Sequence, residues 1–198
     1  MITIIDYGLG NVLAFAHVYK RLNIPFSVAK SKSALSSATK LILPGVGAFD
    51  HAMRQLNQSG MRESLDKMVL QESIPVLGIC VGMQMLAHCS QEGKLPGLGW
   101  MNGQVQKMDA PSLPHMGWNT VNPVIINKLF AGLEVDARFY FLHSYYFECG
   151  DSRDILAESD YGAKFSCAVN HNNIYGVQFH PEKSHHCGIQ LLKNFSDL

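Results

Sequence analysis

The sequence predicts an α/β fold: an open, mostly parallel twisted sheet with helices on both faces, and a second half richer in β-strand. Three observations carry that expectation. Short apolar runs end repeatedly at glycine turns and are followed by apolar residues at helical spacing, the βα rhythm of a parallel sheet. Hydrophobic residues make up 47% and charged residues 16% of the 198-residue chain, a composition that can bury a core and that excludes intrinsic disorder. After Gly93 the texture changes, with Gly97, Gly99, Gly103, Pro111, Pro114 and Pro123 cutting the chain into shorter segments.

In order, Ile2 to Ile5 reads as a strand ended by the glycine turn Asp6-Tyr7-Gly8-Leu9-Gly10-Asn11, and Val12, Phe15, Val18, Tyr19 and Leu22 mark a helix. Phe26 to Ala29 is a second strand, Ser33 to Thr39 a short helix, and Lys40 to Leu43 a strand cut off by Pro44-Gly45-Val46-Gly47. Phe49, Met53 and Leu56, then Met61, Leu65, Met68 and Val69, keep helical spacing. Pro75 to Ile79 is a buried strand, and a helix runs from about Val81 to Cys89. Beyond the change of texture, Arg138 to Glu148, Ile155 to Ser159, Phe165 to Asn170 and Ile174 to Phe179 read as strands, and Gly188 to Phe195 as a closing helix. No repeat, low-complexity tract or linker interrupts the chain, so one domain is expected over residues 1–198.

Lys plus Arg and Asp plus Glu balance at 16 each, so no basic field exists to gather nucleic-acid phosphates. No apolar run approaches the roughly 20 residues of a membrane-spanning helix, and the N-terminus carries no signal-peptide pattern. Five cysteines without a Cys-x-x-Cys pair suit free thiols in a reducing cytoplasm.

The chemistry centres on Gly78-Ile79-Cys80-Val81-Gly82 between a strand and a helix, a nucleophile elbow written with cysteine. A nucleophile on so tight a turn occupies strained backbone space, and glycines two before and two after let the chain close around it. The start of the following helix favours thiolate. The alternative is a buried structural cysteine. In Val177-Gln178-Phe179-His180-Pro181-Glu182, an extended backbone would project His180 and Glu182 to one side, a base beside the carboxylate that fixes its tautomer. Cys80, His180 and Glu182 thus supply the parts of a thiol triad. Gly8-Leu9-Gly10 lacks the third glycine of a dinucleotide loop. His180, His185, His186 and Cys187 match no zinc spacing, so neither metal nor cofactor is expected. Cys89, Cys149, Cys167 and Cys187 lack flanking glycines and read as packing residues.

Leu77-Gly78-Ile79-Cys80-Val81-Gly82-Met83-Gln84, Pro44-Gly45-Val46-Gly47-Ala48-Phe49 and Gln178-Phe179-His180-Pro181-Glu182-Lys183-Ser184 closely resemble the class I (triad) glutamine amidotransferases, whose open sheet is flavodoxin-like. Pro114-His115-Met116-Gly117-Trp118-Asn119 and His143-Ser144-Tyr145-Tyr146 narrow the likeness to the glutaminase subunits of imidazole glycerol phosphate synthases, from about Ile4 to Phe195. The resemblance implies hydrolysis of the glutamine side-chain amide, with Cys80 as nucleophile, His180 as proton shuttle and Glu182 as its orienter. It implies oxyanion donors from the Val81 N–H and from the Val46 and Gly47 loop, whose glycines permit a peptide flip. Gly47, Gln84, Ser144 and Tyr145 would hold the glutamine.

The resemblance also implies a heterodimer, in which a (β/α)8-barrel synthase, or cyclase, receives the ammonia through a dry passage and works in histidine biosynthesis. Met116 and Trp118, with Asn11 and Lys183, are the expected interface; for Trp118 a core position is the alternative. Two other functions stay open: a stand-alone cysteine hydrolase, and a paralogous glutaminase serving another synthase, such as one that amidates sugars for surface polysaccharide. Gly99-Trp100-Met101-Asn102 departs from the aliphatic-plus-proline run expected there and keeps the second of these in play.

Overall fold

The strand that opens the chain, β1 (Ile2–Ile5), is buried at every residue and paired on both edges, parallel to β2 (Phe26–Ala29) and to β3 (Lys40–Gly45). A strand buried on both faces needs no alternation, which is why its sequence is a plain apolar run. The computed structural model, which describes residues 1–198, continues the sheet through β4 (Val76–Cys80) and β12 (Ile174–Val177), both parallel. It ends with β11 (Lys164–His171), β10 (Ile155–Asp160) and β7 (Asn122–Pro123), all antiparallel, giving the order β2-β1-β3-β4-β12-β11-β10-β7. The chain reverses its direction of growth between β1 and β3, so the carboxyl ends of β3, β4 and β12 open beside a switch point, the usual place for a ligand crevice.

Helices α1 (Val12–Arg21), α2 (Phe49–Gln58), α3 (Arg62–Asp66), α4 (Val81–Gln84) and α5 (His185–Asp197) complete the architecture. The Tyr19 hydroxyl of α1 donates to the Leu192 carbonyl of α5 at 3.4 Å. A π-helical turn, Lys67–Gln71, prolongs α3. Two antiparallel ribbons lie outside the main sheet: β5 (Gly103–Lys107) with β9 (Tyr145–Cys149), and β6 (His115–Thr120) with β8 (Arg138–His143). One contiguous cluster of 53 buried residues runs from Ile2 to Phe195, so the β-rich half shares its core with the parallel half.

The departures from expectation have local causes. The helix expected to reach Cys89 stops at Gln84, because an incoming loop captures the backbone: Leu98 N–H donates to the Met85 carbonyl (2.7 Å), Met101 N–H to Leu86 (3.1 Å) and Gly99 N–H to Ala87 (3.0 Å). The single strand expected over Arg138 to Glu148 breaks at Ser144 into β8 and β9, which pair in different ribbons. Ser33 to Thr39 contributes only a 3-10 turn, Lys32–Leu35. The last strand ends at Val177: Gln178 N–H still donates to the Cys167 carbonyl of β11, and the chain then leaves the sheet as His180 N–H donates to the Tyr140 carbonyl of β8.

Candidate active site

The turn from β4 into α4 holds Cys80 at φ 56° and ψ −114°, a region that costs a non-glycine residue about 1–3 kcal/mol. Three glycines make the turn possible by close approach. A Cβ on Gly78 would lie 2.6 Å from the Gly82 carbonyl oxygen, one on Gly82 1.9 Å from that of Leu43, and one on Gly45 2.3 Å from the Gly82 nitrogen. Gly45 is therefore a packing glycine and not a hinge, which corrects the expectation of two free glycines. Freedom is confined to Gly47, whose φ is +81° and around which a Cβ would meet nothing. Tyr7 braces this loop, its hydroxyl donating to the Pro44 carbonyl at 2.7 Å; burial and the neighbouring Cys80 push its phenol pKa upward. With only four residues, α4 offers little dipole, so what the turn gives Cys80 is local backbone N–H groups.

His180 follows β12, and its Nδ1 lies 3.0 Å from Glu182 Oε1, with side chains 6% and 2% exposed. The two are not on a common extended strand as expected: Glu182 sits in the 3-10 turn Pro181–Lys183, which folds it back onto the imidazole. Glu182 Oε2 is buried without a hydrogen-bond partner. Burial acts to lower the His180 pKa, yet the Cys80 sulfur and the Glu182 carboxylate outweigh it and raise it to about 10. Ser184 fixes the segment, its hydroxyl donating to the His180 carbonyl (2.6 Å) and accepting from Tyr140 N–H (3.0 Å).

A cleft of about 330 Å³ contains Cys80 and His180 and is lined by Val46, Gly47, Val81, Gln84, Ser144, Tyr145 and Lys183. Those expected site residues therefore share one cavity. A larger cleft of about 620 Å³, between the Lys32–Leu35 turn and α3, holds no cysteine or histidine. Gln84 Nε2 donates to the Tyr145 carbonyl (3.0 Å) and to Gln178 Oε1 (3.1 Å). Both amide hydrogens are thus committed, and Oε1 is left to meet a ligand donor. Gln178 is fully buried, with Nε2 3.8 Å from Cys80 Sγ. The sequence alone assigns Gln178 no role, although its place two residues before His180 is a usable signal.

Met116 (60% exposed) and Trp118 (38%) point outward from β6, and the ribbon register pairs them with Leu142 and Tyr140. Trp118 stacks on His185 at 5.0 Å, and the Lys183 ammonium lies 5.7 Å from the Tyr140 ring centroid. Trp118 is thus not a core residue. Asn11 is exposed at the start of α1. Cys167 and Cys187 are buried as packing residues, whereas Cys89 is exposed, because the shortened α4 leaves it on a surface turn. Trp100, in the segment that departs from the expected pattern, is buried and donates its indole N–H to Asp66 at 2.7 Å. The departure is a packing solution within the core. No helix is long and apolar enough to cross a membrane.

Residues 3–197 match the family described as "Glutamine amidotransferase class-I". Two relatives, from Bdellovibrio bacteriovorus and Leptospira interrogans, are 61% and 52% identical over 204 residues, with 100% of each chain covered; both are named "Imidazole glycerol phosphate synthase subunit HisH". A solved structure described as "Crystal structure of glutamine amidotransferase" shares the fold at a TM-score of 0.78 and 19% identity, covering 98% of each chain. Identity of this extent over the full length, on top of the family match, leaves one classification: the chain belongs to the class-I glutamine amidotransferases, among the HisH subunits of imidazole glycerol phosphate synthase.

Proposed function

We propose that this chain, acting as one domain over residues 1–198, hydrolyses glutamine to glutamate and ammonia and delivers the ammonia to a synthase that forms imidazole glycerol phosphate. The observation that carries the reading is a cysteine held in strained backbone beside a buried His180–Glu182 pair, lining a cleft of about 330 Å³, roomy enough for glutamine. Cys80 attacks the side-chain carbonyl. His180 delivers a proton to the departing ammonia, then draws one from the water that cleaves the glutamyl thioester, and Glu182 holds its orientation. Backbone N–H groups of Val81 and of the Val46–Gly47 loop receive the oxyanion. Gln84 Oε1, Ser144 and Tyr145 grip the glutamine's head group.

The partner is a (β/α)8-barrel cyclase that docks on Met116 and Trp118 with Asn11 and Lys183 at the rim, in the cytoplasm. Ammonia freed into water would be protonated, so a dry route to the partner is part of the function. The relatives' name, that of a subunit, and the exposed apolar ribbon beside the cleft support this reading. The test is Cys80→Ser in the complex, which should abolish glutamine-dependent synthesis and leave synthesis from ammonium salts intact. Loss of both in a folded, associated variant overturns the division of labour. Full glutaminase activity without any partner favours the stand-alone hydrolase.

A further inference from the structure

Two histidines outside the triad form a buried hydrogen-bonded chain that ends in the cleft. His115 on β6 and His143 at the end of β8 are both buried, 3.0 Å apart between His115 Nδ1 and His143 Nε2. His143 Nδ1 lies 2.8 Å from the Tyr145 carbonyl, which can only accept, so that nitrogen carries the proton and Nε2 is an acceptor. His115 Nδ1 must then be the donor, and its Nε2 accepts from Asn119 Nδ2 at 3.2 Å. Asn119 is itself fixed, since it donates to the Asp160 carbonyl (2.8 Å) and accepts the Thr120 N–H on Oδ1 (2.8 Å). The donor direction is thus set at every link, from Asn119 to His115 to His143 to Tyr145. Burial pushes the two imidazoles down to about 4 and about 3, so neither gains a second proton at neutral pH.

The chain has a strand at one end and the nucleophile at the other. On β6, Met116 and Trp118 face outward, while His115 and Asn119 are the inward positions of the same strand. At the far end, the Tyr145 carbonyl also receives Gln84 Nε2, which bonds Gln178, whose amide approaches Cys80 Sγ. We propose that His115 is a positioning residue, which through His143 ties the docking strand β6 to the Tyr145–Gln84–Gln178 contacts beside Cys80, so that a partner seated on Met116 and Trp118 is felt in the glutamine cleft. The inference rests on the partner-docking function proposed above. Contiguous buried hydrogen bonds are one physical means of such coupling.

His115 is stacked between Phe141 (4.7 Å) and Tyr161 (4.1 Å), so His115→Phe keeps the aromatic packing and removes only the hydrogen bonds. The measured quantity is the ratio of glutamate release in the complex, with the synthase's acceptor substrate bound, to release by this chain alone. His115→Phe should lower that ratio about tenfold, and His115→Asn, whose amide can replace the Nδ1–H donor, should restore most of it. A merely structural role would slow both rates by one factor and leave the ratio unmoved, and that result overturns the proposal. A wild-type ratio near one overturns the partner-gated reading on which it rests. Independently of any partner, nitrogen-15 spectra of the imidazoles should show both as neutral Nδ1–H tautomers from pH 5.5 to 8.5; an Nε2–H tautomer or a titration in that range also overturns it.

Discussion

The Cys80 sulfur and the Glu182 carboxylate both favour a protonated His180, and the direction of that shift has a measurable consequence. Its pKa rises from the ordinary 6.5 to about 10, so the imidazolium stabilises the folded state. That stabilisation is complete below about pH 6.5 and is lost as pH rises through about 10. The stability difference between wild type and His180→Asn should therefore shrink across that window, read as urea midpoints; Cys80→Ser, which removes one source of the rise, should narrow it. A difference constant with pH would contradict the ion-pair account. Activity tests the proposed roles of base and orienter. His180→Asn removes the proton carrier, whereas Glu182→Gln removes only a charge 3.0 Å from Nδ1. Glu182→Gln should keep about 10- to 100-fold more kcat, the kind of gap seen between base and carboxylate removal in other triads. Equal residual rates would argue that Glu182 does more than orient.

The β3–β4–α4 unit explains why the proposed nucleophile was legible in sequence and its surroundings were not. Gly78, Cys80 and Gly82 write a local rule, since a tight turn with backbone approaches of 1.9 to 2.6 Å to any added Cβ admits nothing larger than glycine. Gly82→Ala should lower stability by about 3 kcal/mol, the upper end of overpacking costs, because the added Cβ meets backbone, while Gly47→Ala, in open space, should cost about 1 kcal/mol of backbone preference; a chemical-denaturation series checks both, and equal costs would mean that Gly82 is less confined than its distances imply. The end of α4 could not be read locally, because Leu86 and Ala87 keep apolar helical spacing and only the returning 97–101 loop takes their carbonyls. Arg138 to Glu148 likewise reads as one strand, and its break at Ser144 exists because β8 and β9 find partners in different parts of the chain. The same distance hid the His115–His143 pair: nothing near either residue announces the other.

Sheet order gathers the Val46–Gly47 loop, Cys80 and His180 from three separate parallel strands onto one edge of the molecule, with the outward face of the β6–β8 ribbon beside them. A glutaminase so placed wastes glutamine unless its rate answers to its partner, and in the proposed oxyanion loop Gly47 is the point at which the fold would supply that control. A flip of the peptide between Val46 and Gly47 changes φ of Gly47 by about half a turn and turns its N–H toward or away from an oxyanion in the cleft. One missing oxyanion donor costs about 10²- to 10³-fold in rate; an isolated chain resting with that N–H turned away should be slower than the ligand-bound complex by at least that order. The observed φ of +81° lies where an L-residue is penalised by about 1–2 kcal/mol, which gives the idea a sign. If +81° is the resting arrangement, Gly47→Ala destabilises it relative to the flipped one, and glutamate release by the isolated chain should rise by about 5- to 30-fold. If +81° is instead the working arrangement, the same substitution slows the isolated chain and the complex alike. Steady-state glutamate release from the two forms of each chain decides between them, and a Gly47→Ala chain with unchanged rates, alone and in the complex, would remove this loop as the gate.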